Sequence, residues 1–219
     1  MKIQTNSLLQ SIKLEELEDC IREDLVDAIH HGMLVSNLAR LISKELNLDD
    51  EFCEKMKVAG MLHDIGKLKL TKHLYGRRKD ILMIEEMKYV RMHSTISYEV
   101  LEQMGYEEDI LKAIYHHHEN FDGSGYPDNI KGNVIPLGAR ILRVCDVFAA
   151  LVSVRPYRKA FDIESAIELM IDEIKNFDMQ VFLAFLQVIH SECFKQVSSI
   201  IDITNKEDKN FKICIANLA

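Results

Sequence analysis

His117-His-Glu-Asn-Phe-Asp-Gly-Ser-Gly-Tyr-Pro127 is the stretch from which the rest of this chain can be read. Two adjacent imidazoles and a carboxylate open it, and two glycines and a proline close it. Glycine and proline at that density cannot continue a helix, so Asp122 to Pro127 reads as turn chemistry. Immediately upstream, residues 108–117 carry the spacing of a short helix, which would deliver the histidine doublet to its C-terminal end. Downstream, Pro136 suits the first turn of another helix reaching about Ser153, because its missing N–H is not needed there. Inside that helix Asp146 interrupts the apolar run Ala139-Arg-Ile-Leu-Arg-Val-Cys-Asp-Val-Phe-Ala-Ala-Leu151. A buried carboxylate without a partner is costly, so Asp146 calls for one.

Helical spacing dominates elsewhere. Residues 14–46 place Leu34, Leu38, Leu41 and Ile42 on one stripe. Asp49 and Asp50 then offer an N-cap for a helix running to His63, and Gly66 is expected to end it in the left-handed conformation. Residues 68–80 read as a loop and 84–104 as a helix stopping at Gly105. Two further helices are expected over 162–175 and 178–195. In the tail, residues 197–204 and 211–215 partly alternate around a polar, turn-like stretch, the pattern of a small β-hairpin packed on the helices. No linker divides the chain. The expected organisation is an all-α domain over residues 1–195, its core about 27–186, with a tail over 196–219.

The 219 residues are 47% hydrophobic and 28% charged, the balance of an ordinary globular protein. A net charge of −8 argues against a binder of nucleic-acid polymers, which need a positive footprint. An anionic small molecule is still compatible, since bound cations can invert the field in one cleft. Cys20, Cys53, Cys145, Cys193 and Cys214 form no C-x-x-C pair and read as thiols of a reducing compartment. The first twenty residues lack an apolar signal region, and no stretch approaches the ~18–20 apolar residues that span a bilayer. A cytoplasmic protein without a membrane partner is expected.

The chemistry concentrates in histidines and carboxylates. His63 is followed by Asp64, His117 and His118 by Glu119, and His31 and His93 sit within amphipathic helices. Imidazole with carboxylate suits Mn, Fe or Zn, whereas all-oxygen sets suit Mg or Ca. Two such cations about 3.5–4 Å apart can clamp a phosphodiester and activate a water against it. Singly, each piece has an ordinary explanation: a lone His31 or His93 is a common helix residue, and Lys67 can complement a helix C-terminus. His30, His73, His116 and His190 are given no role.

Order and company change that balance. His63-Asp-Ile-Gly-Lys67, the His117 to Pro127 stretch, Ile135-Pro-Leu-Gly-Ala-Arg-Ile141, Asp146-Val-Phe148 and Arg155-Pro-Tyr-Arg158 together resemble the HD-GYP family. The H-H-E-x-x-D-G-x-G-Y-P pattern is specific; H-D-x-G-K alone indicates only the wider HD superfamily. The resemblance implies an HD-domain helical bundle holding two or three divalent metal ions, Fe or Mn, between helices. It implies hydrolysis of cyclic di-GMP to pGpG or GMP through a metal-bridging hydroxide.

The metal ligands it implies are His31, His63, Asp64, His93, His117, His118 and Asp146, with Asp64 as the bridging, catalytic carboxylate. Asp27 stands where trinuclear members carry a Glu, one helical turn before His31. Lys67 matches a catalytic lysine on the scissile phosphate, and Arg155 and Arg158 match arginines that bind substrate phosphate. Tyr126 belongs to the substrate mouth, in a loop that also implies docking of a diguanylate cyclase domain. Ala149, Val152 and Val154 depart from the customary Asp, Thr and Asp, which implies weaker support around the metals or arginines. The segment after Lys67 lacks the family's Pro-containing stretch. Two other functions fit the same residues: an HD hydrolase of another cyclic dinucleotide or nucleotide phosphate, and a non-catalytic module binding cyclic di-GMP or a cyclase. The persistence of every matched ligand favours the hydrolase.

Overall fold

The computed structural model describes residues 14–68, 90–155 and 158–216, with side chains over 25–68, 90–155 and 158–205. Among the described residues every regular element is a helix, and the one β-type pairing is an isolated bridge between Arg155 and Arg158. The helices are α1 (Leu14–Glu45), α2 (Asp50–Leu62), α3 (His93–Gln103), α4 (Glu108–Tyr115), α5 (Leu137–Val152), α6 (Ile163–Asp172), α7 (Met179–Ile189) and α8 (Phe194–Ala216). The expected loop over 68–80 and the start of the expected helix over 84–104 lie almost wholly outside the described residues.

Three helix starts are set by aspartates. Asp49 accepts from the Phe52 amide, Asp162 from Ser165 and Asp178 from Gln180, each satisfying an amide that the first turn leaves without a partner. The core assembles around α5, whose Ile141, Leu142, Cys145, Phe148, Ala149 and Val152 are buried. Against it pack α1, α4, α6 and α7. From α1 come Leu34, Val35, Leu38, Ala39 and Ile42, a stripe at helical spacing that is all but sealed from solvent. α1 and α2 approach closely because position 60 is glycine: a Cβ there would stand 2.7 Å from the Ser36 Cα.

Two expectations need correction. Gly66 is not among the left-handed glycines of the described residues, which are Gly105, Gly123 and Gly132. It is required for another reason: a Cβ at Gly66 would lie 2.2 Å from the His93 carbonyl oxygen. The tail forms no β-hairpin; residues 194–216 are one helix, α8. Val197, Ile200, Ile201 and Thr204 recur at helical spacing, and this period prevails over the partial alternation. Val197 is buried, and Ile200 and Ile201 pack against the core.

Ala149 and Val152 are fully buried in the α5 core. Those two departures from the family pattern are therefore hydrophobic packing positions, not part of the polar face. No helix among the described residues is long and apolar enough to cross a membrane.

Candidate metal centre

Each polar residue of the centre arrives from a helix end or a helix face turned inward. His63 and Asp64 follow the last residue of α2, His93 opens α3, and His117 and His118 follow α4. His31 and Asp146 lie within α1 and α5. The ligand atoms of His31, His63 and Asp64 lie within 4.8 Å of one another, and so do those of His93, His117 and His118.

The two carboxylates join these triads. Asp64 turns Oδ2 toward His63 Nε2 (3.4 Å) and His31 Nε2 (3.9 Å), and Oδ1 toward His93 Nε2 (3.2 Å). Asp146 turns Oδ1 toward His31 Nε2 (3.0 Å) and His63 Nε2 (3.7 Å), and Oδ2 toward His118 Nδ1 (4.0 Å). One carboxylate oxygen per triad is the geometry a pair of cations needs. Asp27 is exposed on α1, one turn before His31, and is not in either cluster of ligand atoms.

The hydrogen bonds orient the imidazoles for metal binding. Nδ1 of His63, His93 and His117 stands 2.8, 2.6 and 2.6 Å from the carbonyl oxygens of Gly60, Val90 and Ile114. Only Nδ1–H can donate to those carbonyls, so the network assigns all three rings the tautomer with a lone pair on Nε2. The Nε2 atoms of His93 and His117 then face each other at 3.3 Å as bare acceptors. Two lone pairs at that distance repel unless a cation lies between them. His31 Nδ1, His63 Nε2 and Asp64 Oδ1 are moreover buried with no hydrogen-bond partner among the described residues. Such unmet polar atoms are rare in folded proteins, and a cation site accounts for them. The donor set of imidazole with carboxylate fits a transition metal.

The protonation states agree. Burial drives His117 well below its ordinary value, with His118 and His63 adding to the effect, and pushes His118 down to about 3. His31 and His93 are lowered by burial as well. His63 moves the other way, because Asp64 and Asp146 outweigh its burial. Burial alone would raise Asp146, but the His31 and His63 rings beside it hold it well below the usual carboxylate range; His63 and Lys67 do the same for Asp64. The four lowered imidazoles are neutral and both carboxylates ionised, the forms that bind metal.

A cleft of about 410 Å³ opens beside it, lined by His31, Lys67, Asp146, Arg143, Arg155 and Arg158 among others. Lys67 reaches Asp64 Oδ2, while Arg158 donates to the carbonyls of Leu151, Lys159 and Ala150 and lies over the Phe161 ring. Tyr126 stacks on His118 with ring centroids 4.7 Å apart and carries Arg91 on its ring at 5.3 Å. Its loop is pinned by buried Glu119, whose Oε1 accepts from the Asp128 amide at 2.7 Å.

Sequence reasoning missed three supporting residues. Ser97 accepts from the Gly66 amide (2.9 Å) and donates to the His63 carbonyl (2.8 Å), tying the His63-Asp64 turn to α3. Arg143 lines the cleft, and Asn120 accepts from its Nε at 3.0 Å. Helical spacing was the available signal: Ser97 is one turn past His93, and Arg143 is one turn before Asp146.

The sequence pattern described as HD domain matches residues 15–181. Over 137 residues the chain is 36% identical to the cyclic di-GMP phosphodiesterase response regulator RpfG of Xanthomonas campestris, covering 61% of this chain and 35% of that protein. Over 182 residues it is 31% identical to the 3'3'-cGAMP-specific phosphodiesterase 1 of Vibrio cholerae, covering 79% and 42%. The chain thus spans under half the length of either relative. The solved structure of Bd1817, an HDG"Y"P protein from Bdellovibrio bacteriovorus, shares the fold with a TM-score of 0.60 at 18% identity, over 75% of this chain and 53% of that one. With the His63-Asp64 pair inside the matched span and Tyr126 of the Gly125-Tyr-Pro127 turn stacked on His118, the chain belongs to the HD-domain family and to its HD-GYP members.

Proposed function

We propose that this chain is a metal-dependent phosphodiesterase that opens cyclic dinucleotides, with cyclic di-GMP as its substrate and pGpG or GMP as product. The observation that carries this is the pair of groups His31-His63-Asp64 and His93-His117-His118, joined by Asp64 and Asp146, beside a cleft rimmed with basic side chains. Two relatives whose names specify cyclic dinucleotide hydrolysis support the substrate class.

In this proposal His31, His63, Asp64, His93, His117, His118 and Asp146 hold two divalent ions, iron or manganese. Bound ions of this kind neutralise phosphate charge and lower the pKa of water enough to supply a nucleophile near neutral pH. Asp27 is the candidate ligand for a third ion. Lys67 moves from Asp64 onto the scissile phosphate and steadies the charge that develops there. Arg155 and Arg158 place fixed positive charge along the cleft, and Tyr126 closes its mouth. Burial raises the Tyr126 phenol, so it stays a neutral hydrogen-bond donor. No serine or cysteine nucleophile is needed.

The test is chromatographic. Protein loaded with Mn or Fe should convert cyclic di-GMP to a linear product, and chelator-treated protein should not. Equal turnover by both preparations would exclude the metal-dependent reading.

A further inference from the structure

The four basic residues of the cleft are not equally engaged. Lys67 pairs with Asp64, and the Arg158 guanidinium is taken up by three backbone carbonyls. Arg140, on the same helix as Arg143, is held by Asp178. Arg143 differs from these three in having no carboxylate or backbone carbonyl on its guanidinium among the described residues. From Arg155, the fourth basic residue of the cleft, it differs in being oriented by another side chain. It is half-buried, its Nε donates to Asn120 Oδ1 at 3.0 Å, and among the described residues no carboxylate pairs with it.

Its setting is ordered. Asn120 Nδ2 donates onward to Ser124 Oγ at 2.9 Å, and Ser124 to Asp122, so the turn that carries Tyr126 also orients Arg143. On α5, Arg143 precedes Asp146 by three residues, a rise of about 4.5 Å, which puts the guanidinium one turn from the metal-facing carboxylate. Its charge bears on both His118 and Tyr126. A partly desolvated guanidinium beside a centre that collects divalent cations is electrostatically unfavourable until an anion joins it. A guanine edge is neutral and leaves that charge unmet. A phosphate meets it, and guanidinium is well shaped to take one in a bidentate fashion.

We propose that Arg143, oriented by Asn120, binds the second, non-scissile phosphate of the cyclic dinucleotide and so selects two-phosphate rings over simple diesters. This rests on the phosphodiesterase reading above, which by itself places only the scissile phosphate. Selection arises because a mononucleotide diester has nothing to offer Arg143 once its single phosphate lies at Asp64 and Lys67.

The experiment compares parent, Arg143→Ala, Arg143→Lys and Asn120→Ala. KM is measured on Mn-loaded protein for cyclic di-GMP and for bis(p-nitrophenyl) phosphate, which has one phosphate. Equilibrium binding of cyclic di-GMP and cyclic di-AMP is measured on chelator-treated protein, where no turnover intervenes. Arg143→Ala should raise the KM for cyclic di-GMP about tenfold or more, the worth of one charge-assisted pair, and the one-phosphate diester should suffer much less. Both cyclic dinucleotides should lose affinity alike. Arg143→Lys should recover most of the loss, since a point charge still serves a phosphate, and Asn120→Ala should fall between. A loss confined to cyclic di-GMP would make Arg143 a base reader, and an equal loss on the one-phosphate diester would put it at the scissile phosphate; either overturns the proposal. Parent active on cyclic dinucleotides with Arg143→Ala unchanged overturns this inference alone. Parent that cleaves the simple diester but neither binds nor cleaves a cyclic dinucleotide overturns the function reading and this inference with it.

Discussion

Asp146 Oδ1 meets His31 Nε2 at 3.0 Å although 115 residues separate the two along the chain. The contact joins the central helix α5 to the first helix α1, so the cage closes only when the bundle does. Metal affinity and folding are therefore coupled. A ligand that binds only the folded state stabilises it by about 2.7 kcal/mol at a hundred times its dissociation constant. Adding Mn to chelator-treated protein should raise the melting temperature by a few degrees, and Asp146→Ala should abolish most of that gain. Paired thermal melts with and without Mn check this.

Ser97 links His63 to the helix that begins with His93, through two hydrogen bonds. Ser97→Ala should cost about 1–3 kcal/mol, the penalty of leaving the buried Gly66 amide unmet. It should also weaken metal binding by about 10–100-fold, the usual effect of losing a partner that orients a ligand. Denaturant melts and competition with a chromogenic chelator report the two effects separately.

How much of this was legible beforehand depends on whether a signal was local. The His117-His118 doublet, the His63-Asp64 pair and the isolated Asp146 advertise themselves within a few residues, and the structure gathers all five. Gly66 was legible as a necessary glycine but not for the right reason, because the obstruction comes from His93, outside its own turn. The tail was misread: five or six apolar residues fit an alternating and a helical period almost equally, and only packing on the core decides. Ser97 and Arg143 stayed hidden because a hydroxyl or guanidinium acquires its role from what stands across the interface. The same holds for Ala149 and Val152, where burial in the core explains the loss of polar side chains.

Asp178 does two jobs away from the centre. It caps α7 through the Gln180 amide and pairs with Arg140 in a nearly buried ion pair. Asp178→Ala should destabilise the protein by about 3–5 kcal/mol, because Arg140 is left as an unmatched charge. Its metal content per folded chain should equal the parent's, which elemental analysis on the gel-filtered monomer fraction or oligomer fraction can establish.

Acid should loosen the metal-free protein early. His118, with a pKa lowered to about 3, stays neutral when folded, whereas in the unfolded chain it takes up a proton near 6.5. His117, His31 and His93 are shifted in the same direction. For groups lowered on folding, the unfolded state binds more protons as pH falls below 6.5, so stability drops from there downward. His63, which is raised, offsets part of this. Depressed Asp64 and Asp146 extend the loss to lower pH, below the ordinary carboxylate value of 3.8. Denaturant midpoints of chelator-treated protein should fall as pH is taken from neutral toward about 5, and a flat profile would contradict the balance drawn here.

The most direct measurement counts metal and turnover on the same samples of parent and Asp64→Ala. Caging by residues from α1, α2, α3, α4 and α5 around a bridging Asp64 predicts about two Fe or Mn ions per parent chain, together with opening of cyclic di-GMP. It predicts that Asp64→Ala loses both metal and activity while remaining folded by circular dichroism. An Asp64→Ala protein that keeps the parent's metal and turns over cyclic di-GMP at the parent's rate would contradict it.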